Sequence, residues 1–310
     1  MPPPGPAPRP DGVAQEVALA IDIGGTKLAA GLVDARGDVL VSDRRPTPAT
    51  LDGDELFADL AALVDGVRAR GAADGVAAPV VCGVGTGGPM TRGGEGVSPL
   101  NIPAWRSYPL HARLLAHTDL PVHVDNDAKA LALAEGWLGA AAGVANFIGM
   151  VVSTGVGGGI VLDGRLLDGH DANAGHIGHI TVEPDGRPCR CGSRGCLEAE
   201  ASGTGIAAIT GRPPKEATPE VVERTGTLVG RAVAIVANLL DLQLATVAGS
   251  VALGFGEPFF AAAQREIDAR CGFEFVRGTR IVPAGLRAEA PLVGAAAVGW
   301  RGAGRDIGIR

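Results

Sequence analysis

The stretch Ala174–Glu198, AGHIGHITVEPDGRPCRCGSRGCLE, decides how this chain is read. It carries three of the five cysteines and two of the six histidines. Cys189, Cys191 and Cys196 form C-x-C-x4-C, and Gly192 and Gly195 between them permit a loop tight enough to turn three sulfurs inward. With His179 ten residues upstream they make a Cys3His donor set, which suits a closed, tetrahedral site for structural Zn2+. Ordinary buried thiols or a disulfide are the competing readings. Cysteines two apart rarely bridge each other and no secretory signal is recognised ahead of them, so zinc, in a reducing cytoplasmic compartment, is the expectation.

As a pattern, G-H-I-x-V-x-x-x-G-x-x-C-x-C-G-x-x-G-C-L-E over residues 178–198 resembles the signature of the ROK family. That family comprises sugar kinases and sugar-responsive repressors of the actin-like ATPase superfamily. The resemblance implies an α/β fold of two RNase-H-like domains with a cleft between them and a zinc loop at its edge. It also implies ATP with Mg2+ as phosphoryl donor and a small-molecule sugar as acceptor.

Outward from this stretch, composition sets limits. The chain has 310 residues, enough for two moderate cores, and 46% of them are apolar. Its 48 glycines cluster without a three-residue period, which excludes a collagen. A formal charge of −7 with no basic block argues against nucleic acid or an anionic membrane as partner. The Pro-rich residues 1–16 read as a disordered leader, and the longest apolar candidate, 232–251, is interrupted by Asn238, Asp241 and Gln243 and so predicts no membrane span.

Upstream, residues 17–40 read as strand, glycine turn and strand. Asp22 precedes the turn at Gly24 and Gly25, and Thr26 and Lys27 follow it. The spacing is neither G-x-G-x-x-G nor a Walker loop. Such a turn offers backbone N–H groups to phosphate while its carboxylate organises a magnesium ion through water. A helix over 54–70, a strand over 79–84 and a glycine loop at Gly87-Gly88-Pro89 follow, then the segment containing Asn101, a helix over 110–117 and a strand over 121–125. Asp125-Asn126-Asp127 opens a helix over 128–141, where an isolated acid would read as a helix cap. A second glycine turn, STGVGGG from Ser153, lies about 130 residues after the first and suggests an internal duplication with one phosphate clamp per domain. Helices over 201–210, 221–242, 258–270 and 292–301 and strands over 245–250 and near Ile281 complete the chain.

By the resemblance, DIGGTK is the first phosphate motif, so Asp22, Gly24, Gly25, Thr26 and Lys27, with Thr154, Gly155, Gly157 and Gly249, are expected to bind the nucleotide. Asp127 is implied to be the general base and Asn126 a sugar ligand. Gly88, Asn101, His176, His179 and Glu198 complete the sugar pocket, His179 also holding zinc. The domains are expected at 17–127, joined by 292–310, and at 128–291 with the zinc loop at 176–198. A homo-oligomer, dimer or tetramer, is implied by the family.

The expected activity is transfer of the γ-phosphoryl group to the 6-hydroxyl of a hexose: glucose, or an amino or N-acetyl hexose such as kanosamine. The alternatives are a kinase of a sugar-like cyclitol in a secondary-metabolite pathway and a sugar-sensing regulator without its DNA-binding domain. The sequence departs from the family pattern at several positions. His176 replaces the Glu of G-E-x-G-H, Lys129 a frequent Asn, Gly87 a Pro, and Leu100 a Pro, while Ala248 and Ser250 blur the Gly-Gly turn at Gly249. A neutral imidazole offers one donor and one acceptor where a carboxylate only accepts, so His176 is expected to change which sugar substituents are recognised around C1 to C3.

Overall fold

The computed structural model describes residues 16–286 and 288–309. The expected leader therefore lies, except for Glu16, outside the described residues, as does Arg310 at the end of the closing segment.

β1 (Val17–Ile23), apolar but for Asp22 near its end, is buried on both faces, the pattern of a central strand. β2 (Lys27–Asp34) pairs with it antiparallel, and β3 (Val39–Pro46), which the sequence reading did not separate, extends the sheet to an exposed edge. After α1 (Gly53–Ala73), capped by the Asp52 carboxylate on the N–H groups of Asp54 and Glu55, the chain returns as β4 (Val81–Thr86) parallel to β1. α2 (Leu110–Thr118) leads to β5 (Val122–Asn126), giving the order β3-β2-β1-β4-β5. α3 (Asp127–Trp137) then carries the chain to the second sheet. It ends four residues earlier than expected because the Glu135 carboxylate takes the N–H of Ala140 at 2.9 Å and turns the chain there.

The second sheet repeats the plan. β6 (Phe147–Val152), β7 (Val156–Leu162) and the short β8 (Arg165–Leu166) form an antiparallel meander. The expected helix over 201–210 is α5 (Gly203–Thr210), and a short α4 (Leu197–Ala201) that the sequence reading did not give precedes it; Ser202 between them is extended and its hydroxyl caps α5 through Gly205 N–H at 3.0 Å. α6 (Pro219–Leu240) precedes β9 (Leu244–Ala248). α7 (Ser250–Phe255) and α8 (Glu257–Arg270) then lead to β10 (Arg280–Pro283). The order β10-β9-β6-β7-β8 is that of the first sheet with each strand replaced by its counterpart five places on. The duplication read from the two glycine turns is thus present at the level of topology.

α9 (Ala290–Gly302) returns to the first sheet, and with α3 it fills the space between the sheets. Small residues allow this close layering. A Cβ on Gly83 of β4 would stand 1.9 Å from the Ala295 carbonyl of α9, and one on Gly159 of β7 would stand 2.7 Å from Cα of Lys129 in α3. Two further apolar cores lie outside this layer, one under α1 and α2, the other under α6 and α8. No helix among the described residues is long and apolar enough to cross a membrane.

Candidate active site and metal centre

Three parallel strand ends bring the acidic motifs together. Asp22 of β1 is in register with Gly85 of β4, which is in register with Asp125 of β5. Gly85 leaves the floor of the cleft open: a Cβ there would stand 3.6 Å from Cα of Asp127 and 4.0 Å from Oδ1 of Asp22. The two carboxylates feel each other. Burial pushes Asp22 up to about 7, the Asp127 charge adds to the rise, and Lys27 partly offsets it. Burial also raises Asp127, against the opposing effect of Ala128 N–H, which donates to Oδ1 at 2.8 Å. Two acids held above the ordinary range on one wall of a cleft form a proton-accepting and cation-attracting pair. Asn126, not Asp127, is the helix cap: its Oδ1 accepts from Ala128 N at 3.0 Å and Lys129 N at 3.4 Å, while its Nδ2 reaches the Thr86 carbonyl at 3.4 Å.

Around this floor the expected sugar ligands converge. A Cβ on Gly88 would stand 3.5 Å from Nδ2 of Asn126 and 3.5 Å from Cε1 of His176, so this glycine separates the two side chains. One on Gly87 would stand 3.1 Å from Oδ1 of Asn101, and one on Gly25 would stand 2.7 Å from the Asn101 carbonyl, which seats that residue between the first turn and the glycine loop. The His176 and His179 rings lie 5.9 Å apart. Partial burial lowers the His176 pKa, helped by His179 and opposed by Glu198, so the ring is neutral near pH 7. Glu198 accepts from Val156 N–H at 2.9 Å, which joins the sugar side of the cleft to the second glycine turn.

The four expected metal donors come together. His179, Cys189, Cys191 and Cys196 place their ligand atoms within 4.8 Å of one another, with Cys191 Sγ 3.7 Å from Cys196 Sγ and Cys189 Sγ 3.6 Å from His179 Nδ1. A tetrahedron with Zn–S bonds of about 2.3 Å has sulfur edges of about 3.8 Å, so the spacing fits that ion. All three cysteines are free thiols. Burial holds Cys196 up at about 12 and raises Cys189, whereas the Ser193 backbone lowers Cys191. A cation bound here would displace the thiol protons. Cys196 is also the cap residue of α4, its carbonyl accepting from Glu200 N–H at 3.2 Å, and the second residue of that helix is Glu198.

On the opposite wall, the second turn presents Thr154 and Gly155 to solvent beside Gly249. Gly249 has φ +102°, and a Cβ there would stand 2.3 Å from the Val152 carbonyl, so the backbone of β9 closes directly on the end of β6. A Cβ on Gly157 would stand 2.8 Å from that of Ala128, at the start of α3. At the first turn, Gly24 N–H bonds to the Lys27 carbonyl at 2.9 Å, with Thr26 exposed at the tip.

Sequence reasoning missed several polar groups here. Thr47 donates to the Gly24 carbonyl at 2.6 Å, and the Ser153 and Ser250 hydroxyls meet at 3.0 Å beside the second turn. Lys129, to which no role was assigned, is 1% exposed and lies 2.9 Å from Asp125 and 2.8 Å from Asp168. Serine and threonine in loops carry no signal by themselves, and the Lys129 partner is 39 residues away in the chain.

Comparison with known proteins agrees with this geometry. The pattern that defines the ROK family matches residues 18–300. The chain is 38% identical over 255 residues to an N-acetylmannosamine kinase of Escherichia fergusonii, covering 77% of this chain and 84% of that one. It superposes on a ROK hexokinase from Thermus thermophilus with a TM-score of 0.80 at 31% identity, over 93% of this chain and 99% of that one. A ROK family glucokinase from Streptomyces griseus, solved with glucose and AMPPNP, gives a TM-score of 0.78 at 29% identity over 92% and 99% of the two chains. With two actin-like lobes, the motif residues gathered in one cleft and these relatives, the chain belongs to the ROK family and is a sugar kinase of that family.

Proposed function

We propose that this kinase transfers the γ-phosphoryl group of MgATP to the 6-hydroxyl of an N-acetylhexosamine, with N-acetylmannosamine as the preferred acceptor. The observation that carries the choice of sugar is His176, whose ring rests against Gly88 where related kinases commonly present a carboxylate. A carboxylate only accepts hydrogen bonds. A neutral imidazole also donates one, which suits the carbonyl of an acetamido group better than the pair of hydroxyls a carboxylate would bind. The 38% identity to an N-acetylmannosamine kinase supports the same choice.

In this reading Asp127 accepts the proton of the attacking 6-hydroxyl, and its raised pKa makes it a better base than an exposed aspartate. Asn126 and Asn101 hold the ring on that side, Gly88 and His176 face the acetamido group, and Glu198 and His179 bind the C1 and C2 side. Asp22 and Lys27 organise the magnesium and phosphates at the turn Gly24-Gly25-Thr26. Thr154, Gly155, Gly157 and Gly249 receive the nucleotide from the second lobe. Magnesium held there with the nucleotide would supply charge neutralisation to the transferred group, while the residues named above supply position and direction. Zinc held by His179 and the three cysteines shapes the loop that carries Glu198 and takes no part in transfer. The lobes divide at residues 127/128, with the closing segment 292–310 belonging to the first. The exposed, stacked rings of Phe273 and Phe275 support assembly as a homo-oligomer.

The test is a kcat/KM comparison with MgATP over N-acetylmannosamine, N-acetylglucosamine, glucosamine and glucose, in wild type and His176→Glu. The expected result is N-acetylmannosamine first in the wild type, and a relative gain for glucose of roughly tenfold or more in the variant. A wild type that prefers glucose, with a ranking His176→Glu leaves unchanged, would remove the basis for this acceptor.

A further inference from the structure

Behind the acceptor pocket lies a charge cluster that the phosphoryl-transfer chemistry does not use. The Lys129 ammonium, enclosed by protein, contacts Asp125 Oδ1 at 2.9 Å, Asp168 Oδ1 at 2.8 Å and the Ala172 carbonyl at 3.2 Å. Arg301 of α9 reaches Asp168 Oδ2 at 3.1 Å and Asp125 Oδ2 at 4.0 Å. The four charges sum to zero, and they join three elements: the end of β5 with the start of α3, the closing helix, and the segment that follows β8. Burial pushes the Asp168 carboxyl up, but Lys129 and Arg301 more than offset this and leave it below its ordinary range, so it is ionised throughout the working pH range.

The segment Asp168–Gly175 is a closed loop. Ala174 N–H bonds to the Asp168 carbonyl at 3.0 Å, and the Ala172 carbonyl turns inward to Lys129, so the ammonium holds both the entry and the far side of the loop. The outer rim is fastened to the other lobe. Asn173 donates to the Met90 carbonyl at 2.8 Å and accepts from Met90 N–H at 3.2 Å, while Arg92 donates to the His170 and Gly169 carbonyls. Met90 is two residues from Gly88. The loop exits through Gly175, whose φ of +102° brings it against the Gly158 carbonyl, and the next residue is His176. Both walls of the proposed acetamido subsite, Gly88 and His176, are therefore attached to one loop whose inner side is held by the Lys129 ammonium, with Arg301 on the second oxygen of Asp168.

We infer that Lys129 and Asp168 are positioning residues for the acceptor: their ion pair, with the Asn173–Met90 bridge, sets the separation of His176 from Gly88 and so the affinity for the sugar. This rests on the assignment of His176 and Gly88 to the acceptor pocket, but not on which sugar fills it. Neither residue belongs to the set assigned to the sugar or the nucleotide, and the Lys129 ammonium is enclosed by Asp125, Asp168 and the Ala172 carbonyl. A buried pair that only stabilised the fold would lower the melting temperature without separating sugar from ATP, whereas a positioning pair changes one affinity and spares the other.

The experiment takes Asp168→Asn, which keeps shape and leaves Lys129 its Asp125 partner. The acceptor is whichever of glucose, N-acetylglucosamine and N-acetylmannosamine the wild type phosphorylates best. Calorimetry and steady-state kinetics should show acceptor Kd and KM raised by roughly tenfold, with kcat and the KM for ATP within about twofold. In the double variant with His176→Ala, the acceptor affinity should equal that of His176→Ala alone, because the ion pair acts through that ring. Additive losses in the double variant, or an ATP KM that moves as far as the acceptor KM, would overturn the inference. So would an unchanged acceptor Kd in a folded variant. Should Asp168→Asn not fold, Asn173→Ala breaks the same tether without exposing a buried charge, and the same outcomes apply to it. A different preferred sugar would count against N-acetylmannosamine and leave this inference standing; an absent coupling to His176 would do the reverse.

Discussion

The two sheets share one topology and face each other across the cleft, yet their strand ends carry different chemistry. In the first lobe the carboxyl ends of β1 and β5 bear Asp22, Asp125 and, one residue beyond, Asp127. In the second lobe the corresponding positions around β6, β9 and β10 bear Ser153, Thr154, Gly249, Ser250 and Pro283, with no carboxylate among them. The difference is instructive. A polyanionic nucleotide is repelled by acids and suited by hydroxyls, glycine N–H groups and helix starts, whereas proton removal and cation binding require acids. In the proposed reading one backbone plan serves two tasks: the strand-end acids of the first lobe sit where the attacking hydroxyl and a magnesium ion would lie, while Glu198 joins the acceptor pocket from the second lobe.

The most severe way to break that division is Asp127→Asn. It should lower kcat by roughly 10² to 10⁴ while ATP affinity and melting temperature stay near wild type. Retention of more than half the wild-type kcat would reduce Asp127 to a residue at a helix start. Next in size is the metal centre, which the first lobe lacks altogether among its described residues. One zinc per chain is expected by metal analysis. Cys191→Ser should weaken sugar binding by about tenfold and cost more than about 2 kcal/mol of stability, since the loop that carries Glu198 loses its anchor. Unchanged sugar affinity and melting temperature in a zinc-free variant would contradict this.

A smaller effect, confined to the nucleotide side, is expected of Gly249→Ala. A methyl group forced into a positive-φ site 2.3 Å from the Val152 carbonyl should cost about 1 to 3 kcal/mol, and the KM for ATP should rise while that for sugar holds. Equal changes in both constants would mean that the lobes do not divide the substrates as described.

The last effect is a pH dependence carried by Asp22. Its carboxyl is held at about 7 in the fold against an ordinary 3.8, so between these values the folded chain binds more protons than the unfolded one. Stability of the nucleotide-free protein should therefore fall as pH rises through that window, and Asp22→Asn should flatten the dependence. Thermal melts from about pH 4 to pH 7 read this directly. A wild type that gains stability over the same range, with a slope that the variant leaves unchanged, would remove Asp22 from the buried pair.

Much of this was legible before the structure because local chemistry encoded it. The cysteine spacing, the glycine turns and D-N-D at a strand end each constrain a few adjacent residues, and each took its expected place. What was not legible depends on contacts between distant parts of the chain. The short α4 is set off from α5 at Ser202 by a cap that propensity alone does not reveal, and α3 stops at Trp137 because Glu135 captures the loop after it. β3 is polar and exposed at its far end, so it lacks the apolar run that marked β1. Lys129 read as an unremarkable departure within a motif. Its meaning appears only when the fold brings Asp168 to within 2.8 Å of it.

The central claim, that the acid-bearing lobe directs phosphate onto the 6-hydroxyl of an N-acetylated sugar, is tested most directly by the product. Incubation of the purified protein with MgATP and N-acetylmannosamine, followed by two-dimensional 1H–31P NMR, should show a phosphorus nucleus coupled to the two C6 protons, with ADP formed in equal amount. Phosphorus coupled to the C1 proton, or ATP consumed without any phosphorylated sugar, would contradict it.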